Sequence, residues 1–89
     1  MADKLTRDTL KAHLFEVFQK HAQGKVTVTE SSHITGDLGV DSLAVMEIVA
    51  ELEDRYDMSF PDEELPKIRT VGDVIATLAK RLEADGRLA

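Results

Sequence analysis

The chain has 89 residues, 43% of them hydrophobic and 31% charged, a formal net charge of −6 and no cysteine or tryptophan. A domain of this size buries only about 60 to 65 per cent of the surface its unfolded chain exposes, which argues against a deep enclosed catalytic cavity, while the apolar fraction argues against wholesale disorder. Without cysteine there is neither a disulfide framework nor a thiolate metal site, so packing alone must hold one domain over 1-89.

Thr6 caps a first predicted helix with Asp8 in its first turn, and Leu10, Leu14, Val17 and Phe18 recur at the spacing of a helical apolar stripe. Gly24 supplies a stop shortly after His21 and Ala22, because glycine accepts the left-handed conformation found beyond helix ends. From Gly24 to Asp41 the pattern dissolves into Thr, Ser, Gly and charged residues. Val26 and Val28 alternate with polar neighbours, but a lone strand would have no partner. The segment therefore reads as a long loop anchored by Ile34 and Leu38, and structureless connections beyond about 12 to 15 residues are often functional.

The second helix is predicted from Ser42 to Tyr56, with Val45, Ile48, Val49, Leu52 and Tyr56 on one stripe and Leu43, Met46 and Ala50 widening it. That width either packs the helix on two neighbours or leaves a margin for a partner. Pro61 followed by Asp62, Glu63 and Glu64 has the form of a helix start, and Pro66 limits that helix to about one turn. Thr70-Val71-Gly72-Asp73 resembles a capping box, and Val71, Val74, Ile75, Leu78, Ala79 and Leu82 form the stripe of a last helix ending near Asp85 and Gly86. The expected fold is all-α: a small antiparallel bundle of three main helices plus one short helix, with a long loop between helices one and two.

Charge is unevenly spread. From Glu30 to Glu64 eleven acids stand against one base, Arg55, so this segment carries −10 and the remainder +4. A nucleic-acid reading would need a clustered basic footprint, whereas this surface steers toward basic partner proteins. No stretch approaches the roughly 20 apolar residues of a membrane span, and Met1 to Leu10 lacks the apolar core of a signal peptide. The chain reads as a soluble, cytoplasmic monomer without membrane insertion.

Ser42 is the main candidate for chemistry. As a hydrolase nucleophile it would need a base, an orienting acid and an oxyanion hole, and the Gly-x-Ser-x-Gly elbow is missing. His13 and His21 lie on the first helix and His33 in the loop; all three read as solvated surface residues. Ser42 could also serve as an N-cap, but Asp41 is the better cap, which leaves the serine hydroxyl directed outward. A phosphodiester there would sit at the positive end of a helix. Asp54, Asp57, Asp62 and Glu63 do not match a calcium loop, since the stretch has Phe60 and Pro61 and no glycine, so no metal site is assigned.

Asp-Leu-Gly-Val-Asp-Ser-Leu from Asp37, an acidic helix ending in Leu-Glu-Asp-Arg-Tyr, then Phe-Pro-Asp-Glu-Glu and Ile-Arg-Thr-Val-Gly-Asp-Val form an ordered series spanning about half the chain. This series resembles the acyl carrier proteins. The resemblance implies that Ser42 accepts 4′-phosphopantetheine from coenzyme A through a phosphopantetheinyl transferase, and that the chain carries acyl groups as thioesters without catalysing anything itself. It implies that Asp41, Leu43, Met46, Glu47, Glu53 and Asp54 face basic docking patches on acyl transferases, ketosynthases and other biosynthetic enzymes. Val49, Leu52, Phe60 and Ile68 become candidate lining for an acyl chain, with core packing as the alternative for each.

Ala44 stands where fatty-acid carriers commonly have an acid, Arg55 interrupts the acidic stretch and Pro66 shortens the third helix. These departures weaken the case for a housekeeping fatty-acid carrier and put a discrete carrier for a polyketide or other specialised pathway at least level with it. Aminoacyl and peptidyl carriers resemble the chain too, but usually place glycine-rich sequence before the serine. A helical interaction domain that is never modified is the rival from a different class.

Overall fold

Thr6 opens helix α1 (Arg7–His21) by accepting the Thr9 N–H on its side chain, and the helix buries Leu10, Leu14, Val17 and Phe18. The computed structural model describes residues 5–60 and 62–88. Helix α2 spans Ser42–Tyr56, a 3₁₀ helix spans Asp62–Lys67, and helix α3 spans Val71–Ala84. The result is the expected small all-α bundle, in which α1 packs on α2 and α3. Its core gathers the stripes of all three helices together with Val28, Ile34, Leu38, Val40 and Phe60.

Both later helices carry the caps expected of them. Asp41 is extended and accepts the Ala44 N–H at 2.8 Å, while Asp57 ends α2 in the left-handed conformation, φ 49°. Thr70 and Asp73 form a reciprocal capping box: the Thr70 hydroxyl accepts the Asp73 N–H at 3.1 Å and the Asp73 carboxylate accepts the Thr70 N–H at 3.0 Å. Beyond α3, Gly86 takes φ 71° and the Arg87 N–H returns to the Leu82 carbonyl at 2.8 Å. That turn sends the Arg87 guanidinium to the carbonyls of Tyr56 and Asp57 at the end of α2.

The connection from residue 24 to 41 is a loop, and no strand occurs among the described residues. It is nevertheless docked along its length. Glu30 and Ser32 accept the N–H groups of Gly72 and Val71 at 2.8 and 3.1 Å, and the Ile34 N–H donates to the Arg69 carbonyl at 3.0 Å. A side chain at Gly72 would bring its Cβ to 2.9 Å from the Glu30 carbonyl oxygen, so glycine is what permits this approach. Ile34 and Leu38 anchor the loop as expected, and Val28 and Val40 join them in the core.

The short helix departs from expectation. Pro66 lies inside the 3₁₀ helix, which continues to Lys67, about two turns at 3 residues per turn. Proline removes one donor there, but a short connecting 3₁₀ segment tolerates the loss. The expected start at Pro61 lies outside the described residues.

Candidate functional site

Ser42 is the first residue of α2 and is exposed. Because Asp41 supplies the cap, the serine hydroxyl is left without a hydrogen-bonding duty among the described residues. The first turn of α2 contains no acid. The free N–H groups and positive end of the helix therefore lie next to an unencumbered hydroxyl, an environment that suits a phosphodiester.

Leu43, Met46, Glu47, Ala50 and Asp54 follow Ser42 at helical offsets and are all exposed, so they share the outward face of α2. Leu43 is 72% and Met46 53% exposed, the two large apolar side chains that the core leaves out among the described residues. The structure thus brings together Asp41, Ser42, Leu43, Met46, Glu47 and Asp54 as one strip with an apolar head and an acidic tail. Glu53 lies at its edge, half-buried, with one carboxylate oxygen accepting the Phe60 N–H at 2.8 Å. Glu51 turns toward α1, within 3.7 Å of Lys20 and 3.8 Å of His21.

Val49, Leu52 and Phe60 are buried in the core, with Ile68 packed against it at partial exposure. Two shallow grooves, of about 340 and 400 Å³, lie instead on the outer side of α3 around Ala76, Lys80 and Ala84. Val49, Leu52 and Phe60 therefore belong to the packed core, with Ile68 at its margin.

His13 and His21 correct the reading of three solvated histidines. His13 Nδ1 lies 3.0 Å from the Tyr56 hydroxyl, and His21 Nε2 is buried without a hydrogen-bond partner in the described structure. Both residues fall on the apolar stripe of α1, offset by 3 or 4 from Leu10, Val17 and Phe18, a signal the sequence contains. Burial pushes the Tyr56 phenol above its ordinary pKa, an effect that Arg55 partly offsets. His33 is exposed, and among the described residues no hydrogen bond links it to Ser42. Among the described residues no group of three or more acids or histidines could hold a metal ion. No helix described is long and apolar enough to cross a membrane.

The arrangement places an exposed serine hydroxyl beside a strip that is apolar at its head and acidic along its tail. The phosphopantetheine attachment site family matches residues 22–78. An acyl carrier protein of Rhodococcus erythropolis is 38% identical over 87 residues, covering 91% of this chain and 89% of the relative. A meromycolate extension acyl carrier protein of Mycolicibacterium smegmatis is 37% identical over 90 residues, covering 94% and 86%. Among solved structures, an acyl carrier protein from Enterococcus faecalis aligns with a TM-score of 0.72 at 32% identity, covering 85% of this chain and 98% of that one. The chain belongs to the acyl carrier protein family, whose attachment domain carries covalent 4′-phosphopantetheine.

Proposed function

We propose that Ser42 is the attachment residue and that the chain is a discrete carrier of acyl intermediates. The observation that carries the reading is the exposed Ser42 hydroxyl at the head of α2, freed from capping by Asp41. The phosphopantetheine arm, donated by coenzyme A through a phosphopantetheinyl transferase, supplies a terminal thiol that holds acyl groups as thioesters. The chain's own residues do the rest. Asp41 orders the helix start, Leu43 and Met46 give a small apolar contact, and Glu47 and Asp54, with Glu53 at the margin, pair with basic side chains of the transferase and of acyl-processing enzymes. Exposed ion pairs of this kind steer association and contribute little to tight binding, which suits a carrier that must visit and leave many partners.

The pathway we favour is fatty-acid or related lipid synthesis, in view of the meromycolate extension relative, with polyketide synthesis as the second reading because Ala44 and Arg55 dilute the acidic strip. Incubation with coenzyme A and a broad-specificity pantetheinyl transferase should add one phosphopantetheine by intact mass, and Ser42→Ala should abolish the addition. An unchanged mass with a demonstrably active transferase would refute the assignment. Thioester species isolated from the native host would identify the cargo.

A further inference from the structure

We infer that Asp37 is a positioning residue for Ser42: its carboxylate closes the turn through which the loop delivers the serine to the head of α2. The inference rests on the reading of Ser42 as the acceptor. The Asp37 carboxylate accepts the His33 N–H at 2.7 Å, while the N–H groups of Asp37 and Leu38 donate back to the His33 carbonyl at 2.9 and 3.1 Å. This reciprocal box resembles a helix capping box, although it encloses a single turn.

The box is tied to the bundle on both sides. Ile34, the residue after His33, donates its N–H to the Arg69 carbonyl at 3.0 Å and accepts the Val40 N–H at 3.0 Å. Leu38, the residue after Asp37, accepts the Gln23 N–H at 2.8 Å. Ile34, Leu38 and Val40 are all buried. The turn is therefore anchored to the entry of α3 and the exit of α1, and from Val40 the chain passes directly into Asp41 and Ser42. Gly39 completes the path with φ 67°, where an added Cβ would lie 3.0 Å from the Gln23 Cβ.

Asp37 is exposed and lies four residues before the helix cap, so its hydrogen bond acts on Ser42 through the backbone. Without the carboxylate, the His33 N–H loses its acceptor and the turn can open while the buried anchors keep the fold. A displaced acceptor reacts slowly even when its carrier still docks, because transfer needs the hydroxyl aligned with the donor phosphate.

The test measures phosphopantetheine transfer from coenzyme A to the full chain by a pantetheinyl transferase, with intact-mass readout, alongside amide exchange at Val40 and Ala44. Asp37→Ala should lower kcat/KM roughly ten- to a hundredfold, mainly through kcat. Asp37→Asn keeps an accepting oxygen and should restore most of the rate. Arg87→Ala, which loosens the other end of α2, serves as a destabilised control and should keep the parental rate. Parental rates in Asp37→Ala, a loss confined to KM, or an Asn variant as slow as the Ala variant would overturn the inference; the last would mark Asp37 as a charge contact instead. If the parent takes no phosphopantetheine, the acceptor reading fails, and exchange decides the positioning separately. Faster exchange at Val40 and Ala44 in Asp37→Ala but not Asp37→Asn supports it, and unchanged exchange overturns it.

Discussion

The Glu53 carboxylate accepts the backbone N–H of Phe60 across the end of α2, at 2.8 Å. One residue of the acidic helix thus holds the segment that inserts Phe60 into the core. Removing the carboxylate leaves a partly buried N–H without a partner. Glu53→Ala should lower the free energy of unfolding by about 1–3 kcal/mol, and Glu53→Gln by less, as measured by urea denaturation.

Asp73 provides a pH signature. The backbone N–H groups of Arg69 and Thr70 hold its carboxyl below the ordinary value of 3.8. Because the folded-state pKa is depressed, the resulting stability is fully present above the unfolded value and is lost as pH falls through the folded one. Asp73→Asn should therefore lose stability relative to the parent at pH 7, and the gap should narrow progressively below about pH 4. Urea midpoints for both proteins across that range check it; a constant gap would contradict the assignment.

Asp41 and Ser42 should separate cleanly in their effects. Asp41→Ala removes a cap and should cost about 1 kcal/mol of stability. Ser42→Ala touches no capping contact and should stay within about 0.5 kcal/mol while losing all phosphopantetheine addition. Thermal unfolding and intact mass on the same samples provide the comparison.

Exposed acids on α2 should govern encounter with partners. Replacing both Glu47 and Asp54 by Lys should slow association with a basic-patched transferase by roughly tenfold or more at low salt. The difference should shrink as ionic strength rises toward 1 M, where the screening length falls to about 3 Å. Stopped-flow association rates against salt would show it, and a salt-independent difference would point to lost contacts rather than lost steering.

The three helices, their caps at Thr6, Asp41 and Thr70, and the outward Ser42 were all legible in the sequence. These features are local: a cap and a stripe are decided by residues within one or two turns. The acyl carrier resemblance was legible for the same reason, since its residues lie in order along the chain. Neighbours distant in sequence were not legible. Nothing local to Glu53 indicates Phe60 as its partner, nothing near Arg87 indicates the last carbonyls of α2, and His13 meets Tyr56 only because α1 and α2 pack. In the sequence Pro66 marks a stop, because proline ends an α-helix; the 3₁₀ geometry that admits it belongs to the fold. The sequence by itself determined which groups could do chemistry and where helices begin. Tertiary structure decided which polar groups are already engaged, because that depends on the packing of segments 7 to 43 residues apart along the chain.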